Sequence, residues 1–327
     1  MRAHHWLLLV LALAVSGIAA LAFGTIDVSM ISAWRALFGE GDATSVLVVR
    51  QLRLPRTVLA ALLGAGLGIS GAALQGVLRN PLAEPYLLGV SGGAAVGAVL
   101  AVTAGVAFAL VPIAAFAGAM VSVTLALFVA HATRGRGDPR VLVMAGVVVG
   151  AFANAAIMIA MANADASTVR GALWWMMGSV ADATWTQSGW MAAYLAVGGA
   201  ILVAHGRTLD ALSLGEDSAA GLGVDVDRSA RRVYLTSSLV AAATVSAAGL
   251  VGFVGLVVPH IARRMASGAP GGGHRTLLLA SAIIGAILVV LADVVARVAL
   301  PPAELPLGAV TAMIGVPFFL ITLRRLT

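Results

Sequence analysis

Lysine does not occur in this chain of 327 residues, and all 20 of its basic side chains are Arg. A phosphate-binding loop of the Walker type requires a Lys after its glycines, so the chain has no such nucleotide site of its own despite its 38 Gly. Cysteine is absent as well, which excludes disulfides and thiolate chemistry. Charge is scarce: 10% of residues are charged, whereas a soluble domain carries roughly 25%. No water-exposed surface can be assembled from so few charges. The formal net charge of +6 and a pI near 11.1 would suit nucleic acid. Arginines in the loops between membrane spans explain both values more simply, and nucleic acid is not an expected partner.

What the chain does contain is apolar: 61% of residues are hydrophobic and the mean hydropathy is +1.02. Lipid is the solvent that suits such a composition, and a helix crossing it needs about 20 mostly apolar residues. Backbone groups inside lipid must be satisfied within the segment, so these runs predict helices. The two-residue alternation of a barrel strand is missing. Ten spans are expected, at residues 6–23, 57–77, 86–102, 111–130, 141–161, 189–204, 232–250, 251–261, 277–295 and 307–323. The first is read as a retained helix, since its apolar stretch exceeds a signal-peptide core and further spans follow. The eighth is too short to span in isolation and is expected to be the inner part of a bent helix. No polar stretch makes a second domain, so residues 1–327 are read as a single transmembrane permease domain. Its longest cytosolic loop is expected at about 205–231.

Arginine placement predicts orientation. With the N-terminus in the cytosol, the inner loops hold Arg2, Arg79, Arg134, Arg136, Arg140, Arg207, Arg228, Arg231, Arg232, Arg263, Arg264, Arg275, Arg324 and Arg325, fourteen in all. The outer loops hold six: Arg35, Arg50, Arg53, Arg56, Arg170 and Arg297. The excess of inner arginines predicts two cytosolic termini in a bacterial inner membrane.

Several local features invite a functional reading. Gly64, Gly66, Gly68, Gly71 and Gly76, followed by Gly89, Gly92, Gly93 and Gly97, allow helices to approach closely. Direct substrate contact is the alternative. Two prolines interrupt the run from Arg79 to Pro85, where Asn80 and Glu84 would be costly in lipid. These two, with Asn154 inside the fifth span and Arg170 after it, are candidate pathway or gate residues. Arg50, Arg53 and Arg56 cluster at the outer end of the second span, where the topology rule expects few charges. They either anchor to headgroups or meet an acidic docking partner, and docking is favoured. An intrahelical pair with Asp293 is expected to hold Arg297 in place. The six histidines lie near predicted cytosolic ends, so no haem or metal site is expected.

Four blocks carry a resemblance. GAALQGVLRNPLAEPYLLGVSGGA at 71–94, LRLPR at 52–56, GFVGLVVPHIARR at 252–264 and ELPLGAVTAMIGVPFFL at 304–320 closely resemble the FecCD-type permeases of siderophore, haem and cobalamin importers. The resemblance implies an all-α polytopic fold of about ten transmembrane helices with the type II ABC importer permease architecture. It implies a second copy of the chain, two cytosolic ATPase subunits that bind ATP–Mg, and a periplasmic substrate-binding protein, with the substrate path along the dimer interface. The permease itself would be no enzyme and would bind no cofactor. The family's docking arginines fall on Arg53, Arg56 and Arg297. Its coupling helix falls on the loop that holds Leu214, Gly215, Glu216, Ala220, Leu222 and Gly223. A plain capping turn with Asp217 or Ser218 at the cap is the other reading of that loop. Arg170 and the run Trp174-Trp175-Met176-Met177-Gly178-Ser179 fall where the family forms a short helix near the entrance, although Trp also simply favours membrane interfaces. Iron chelates, siderophore or haem, are the expected cargo, with cobalamin the alternative. An ion-coupled secondary transporter or a channel fits less well, because almost no ionisable residue lies within a span and no filter-like loop is evident.

Overall fold

The computed structural model describes residues 3–24, 26, 28–132, 139–266 and 273–323. Arg2, Arg134, Arg136, Arg324 and Arg325 lie outside the described residues, as does the side chain of Arg140. All ten expected spans are helices: α1 (Ala3–Ala22), α4 (Leu54–Val77), α5 (Val90–Thr103), α6 (Val111–Ala132), α7 (Pro139–Ala162), α9 (Trp185–Ala204), α12 (Val226–Ala248), α13 (Val254–Ala266), α14 (His274–Val298) and α15 (Leu307–Leu323). Between them lie α2 (Met30–Leu37), α3 (Ala43–Leu47), α8 (Ala166–Met177), α10 (Gly206–Ser213) and α11 (Glu216–Gly221). Among the described residues six stretches, including a continuous helical run at Ala43–Val77, are long and apolar enough to cross a membrane.

The spans reach further than hydropathy implied. α12 starts at Val226, so Arg228 and Arg231 are helical and not in a loop. Its cap explains this, because Asp225 accepts the Arg228 N–H at 3.0 Å. The 205–231 segment is likewise mostly helical, as α10 and α11. The eighth span is no continuation of a bent helix. Gly249 at φ +71° and Phe253 at φ +66° turn the chain before α13 begins as a separate helix. Gly255 at its start lies against Leu67, past the midpoint of α4, so α13 covers only the C-terminal half of α4.

α4 is the central helix, with 19 buried residues named between Pro55 and Val77, and it packs along α14, α12, α13 and α9. Glycine permits the closest of these contacts. A Cβ added at Gly64 would stand 2.0 Å from the Gly285 carbonyl oxygen, and one at Gly285 would stand 2.1 Å from that of Gly64. Lipid offers no hydrophobic drive to join helices, so van der Waals contact between backbones must supply it. The same device joins α5 to α6 through Gly93, Gly97 and Gly118. Close packing, not substrate contact, is therefore the role of most of the glycines singled out in α4 and α5. Gly64→Val is expected to lower the unfolding temperature strongly, since overpacking costs about 1–3 kcal/mol or more where backbone cannot move. Gly150→Ala, at a site with nothing within 4 Å, is expected to leave it unchanged. Thermal unfolding in detergent separates the two.

The helix ends sort into two groups. At the N-terminal end of α4 lie the last turn of α1, the last turn of α14, and the start of α9, where Ser188 Oγ donates to Pro55 O at 3.3 Å. At its C-terminal end lie α10, α11 and the first turn of α14, where His274 and Leu209 crowd Gly76.

Candidate functional sites at the two ends and between them

The N-terminal end of α4 carries a buried charge network. Arg56 Nε donates to Asp293 Oδ1 at 2.9 Å, while Nη1 and Nη2 donate to Glu304 Oε1 and Oε2 at 3.0 and 2.9 Å. This is a bidentate fork, the strongest geometry available to a guanidinium. Arg297 Nη2 sits 3.1 Å from Asp293 Oδ2, an ion-pair contact without hydrogen-bond alignment, and donates to Ala20 O at 3.2 Å. The i,i+4 pair anticipated from sequence is therefore present. Two cations and two carboxylates balance, and the main exposure is at Glu304, whose side chain is 33% exposed.

Arg53 does something different. Its guanidinium donates to Leu21 O at 2.7 Å and Ala22 O at 2.8 Å, and to Ile26 O. These include the orphan carbonyls at the end of α1, where the helix dipole favours a cation. The expectation of an exposed basic rim is thus corrected for Arg53, Arg56 and Arg297. Their side chains are consumed inside the fold, and all three residues are buried. Burying a charge is costly unless it is paired or hydrogen-bonded, and here each has found partners. Arg35 and Arg50, by contrast, are exposed. Glu304 was missed as a partner, because 248 positions separate it from Arg56 and no local period links them.

A cleft of about 370 Å³ opens between α5 and α7. Tyr86, Gly89, Gly92, Gly146, Asn154, Met176 and Leu250 are among its lining residues, so one candidate pathway residue, Asn154, does face it. The other three do not line it. Asn80 is exposed and its Oδ1 accepts the Leu82 N–H at 2.9 Å, a local turn. Arg170 is exposed on α8. Glu84 works from behind: its Oε1 accepts the Phe253 N–H at 2.9 Å, and Tyr86 Oη donates to Val251 O at 3.1 Å. Together they tie the cleft wall to the turn before α13. Burial pushes the Glu84 carboxyl above its usual range, with the Phe253 N–H opposing the shift.

Around this cleft the helix faces are bare. Met144, Val148, Phe152, Met158 and Ile159 of α7 and Met313 of α15 are among the most exposed apolar side chains of the chain. The expected entrance helix is α8, capped by Asp165, whose carboxyl is held well below its usual range by the Ser167 hydroxyl and the Thr168 N–H. Its C-terminus is fastened where Ser179 N donates to Ala248 O at 2.8 Å and Leu307 N to Gly178 O at 3.0 Å. That junction links α8, α12 and α15 beside the cleft. Trp174 is exposed, and Trp175 packs against the core.

At the other end, α10 and α11 form a small platform. Asp210 Oδ1 accepts both the His274 backbone N–H and ring Nδ1 at 2.7 Å, so α10 supplies the N-terminal cap that Gly273 cannot give α14. Arg79 Nη2 donates to Glu216 Oε1 at 2.8 Å, joining the α4–α5 connection to α11. Ala219 is buried beneath α11, whereas Leu214 and Leu222 are 67% and 66% exposed on either side of it. Ala220 is exposed, and Gly215 and Gly223 take φ +110° and +81° at the ends of the short helix. The capping-turn alternative is corrected: the N-cap of α11 is Gly215, not Asp217 or Ser218. Among the described residues no group of three or more His, Asp or Glu could hold a metal ion.

The chain matches the model of the FecCD transport family over residues 11–325. It is 43% identical to the cobalamin import system permease protein BtuC of Halobacterium salinarum, over 86% of this chain and 74% of that one. It is 36% identical to the Fe(3+)-citrate import system permease protein YfmE of Bacillus subtilis, over 97% of this chain and 94% of that one. A solved structure described as an inward-facing conformation of a metal-chelate type ABC transporter superposes with a TM-score of 0.85 at 29% identity, covering 97% of both chains.

Proposed function

The chain belongs to the FecCD transport family, and from that membership we propose that it imports a metal chelate as one half of a homodimeric permease, energised by separate ATPases. The observation that carries this is the platform of α10 and α11. Two exposed leucines flank α11, which Glu216 ties to the α4–α5 connection, while Asp210 ties the neighbouring α10 to α14, a surface built to be pressed by another protein. Two cytosolic ATPase subunits that bind ATP–Mg are the partners proposed there, with Leu214, Glu216, Ala220 and Leu222 at the contact. On this reading both chain termini lie in the cytosol of a bacterium and the network end faces the periplasm. Residues 1–327 then act as one permease domain in the inner membrane.

A second copy facing the bare sides of α7 and α15 would close the cleft into a path, with Asn154 offering a polar contact to passing cargo. Glu84 positions the wall, while Asn80 and Arg170 remain proposals for the two mouths of the path. A periplasmic binding protein is proposed to dock at the outer end. Arg53, Arg56 and Arg297 serve that docking by fixing the end of α1, α4 and α14, and Glu304 and Arg50 offer the exposed charge. Iron chelates, siderophore or haem, are the cargo proposed first. Cobalamin is the second reading, supported by the 43% identity to the Halobacterium permease. No cofactor on this chain is needed, because a metal that arrives chelated requires no protein ligand.

Uptake into proteoliposomes tests the reading. Chelate accumulation is expected only when the cognate ATPase and ATP are present on the α11 side. Equal accumulation by the permease alone, driven by an ion gradient, would establish a secondary transporter instead.

A further inference from the structure

The structure leaves one helix outside the transport path with an unusual partition of its surface. α2 carries Met30, Ile31, Trp34 and Phe38 at 58–71% exposure. At 3.6 residues per turn these four lie within about a third of the helix circumference. A second arc, Ala33, Ala36 and Leu37, packs with Leu21 of α1 and Val49 of the π-helical turn that leads into α4. Ser32 and Arg35 occupy the remaining arc. The helix thus has three sides: one on the protein, one apolar and uncovered, one polar.

Its level is set by its contacts. Leu21 is in the last turn of α1, a candidate span, and Val49 lies in the helical run Ala43–Val77, another. A helix resting on the ends of two spans sits at the boundary between hydrocarbon and water. Trp34 and Phe38 meet edge to face with ring centroids 5.5 Å apart, and aromatic rings concentrate at that boundary. α1 likewise leaves an apolar flank open at Leu7, Leu11, Val15 and Ile18. Exposed Arg35, beside the uncovered arc, suits lipid phosphate. α2 packs on α1, α3 and the π-helical turn, whereas the cleft lies on the α5–α7 side.

We propose that α2 is an interfacial membrane helix that lies in the headgroup layer and inserts Ile31, Trp34 and Phe38 into the acyl boundary. The occupant of its bare arc is lipid, not a second copy of the chain and not a docking protein. It would hold the first and second spans at a fixed depth, and its insertion is about 5–10 Å, as for other interfacial helices.

The absence of cysteine makes the test direct. Ile31→Cys, Trp34→Cys, Phe38→Cys and Arg35→Cys are each labelled with a nitroxide in the full chain, reconstituted in phospholipid bilayers. Gel filtration first confirms that each variant stays monodisperse. Power saturation is then measured with oxygen, which partitions into lipid, and with a water-soluble nickel chelate. The first three sites are expected to favour oxygen, and the Arg35 site nickel. Nickel access at all four would mean that water covers the arc and would overturn the proposal. Shielding of the three from both reagents would mean that protein covers it, with the same consequence.

Discussion

Asp293→Asn is expected to be among the most destabilising isosteric changes in this chain, at about 3–5 kcal/mol. Asp293 is 1% exposed and stands between Arg56 and Arg297. Removing its charge leaves two buried guanidinium groups sharing Glu304 alone, and an uncompensated buried charge is what makes a broken pair costly. The shape of the side chain is kept, so the loss reports charge and hydrogen bonding, not a cavity. Thermal unfolding of the detergent-solubilised chain measures it. A second substitution separates this account from simple misfolding: in Asp293→Asn/Arg297→Met the surplus cation is gone. Part of the lost stability should then return, giving a coupling term of the size neighbouring charges show. Additive losses would mean that Asp293 matters for something other than balancing Arg297.

Leu214→Glu combined with Leu222→Glu is expected to abolish ATP-driven uptake while leaving the fold intact. Both side chains are about two-thirds exposed, so the chain alone loses little by the change. If each leucine is buried against an ATPase at about 2 kcal/mol, the pair contributes about 4 kcal/mol, roughly a thousandfold in affinity. Glutamates there would also bring two charges into an apolar contact. The readout is co-purification of the ATPase together with uptake in proteoliposomes. Unaltered binding and uptake would remove the platform from the mechanism. Arg79→Ala bears on the same element through Glu216, but that pair is solvent-exposed and its loss should cost at most about 1 kcal/mol.

Much of the architecture was legible beforehand for reasons that are local. Twenty apolar residues in a row leave one conformation in lipid, and each of the ten expected segments is a helix. The ends of those helices were less legible, because polar caps such as Asp225 extend a helix beyond its apolar run. Of the candidate site residues, Asn154 lines the cleft, while Glu84 supports the wall and Asn80 closes a turn. Polarity marks all three as unusual in such a chain. It does not say whether the partner is a substrate, a backbone group or water.

Composition and contiguous motifs act within one segment, and from them alone the solvent, the helices and the family follow. It takes the packing of the helices to turn Arg53, Arg56 and Arg297 inward, to set Gly64 against Gly285, and to let α10 cap α14. Each of these joins groups on different helices, in the Arg56–Glu304 pair 248 positions apart. A buried charge takes whatever counter-charge packing brings within about 3 Å, and that choice is made by how helices stack, not by what precedes or follows it in the chain.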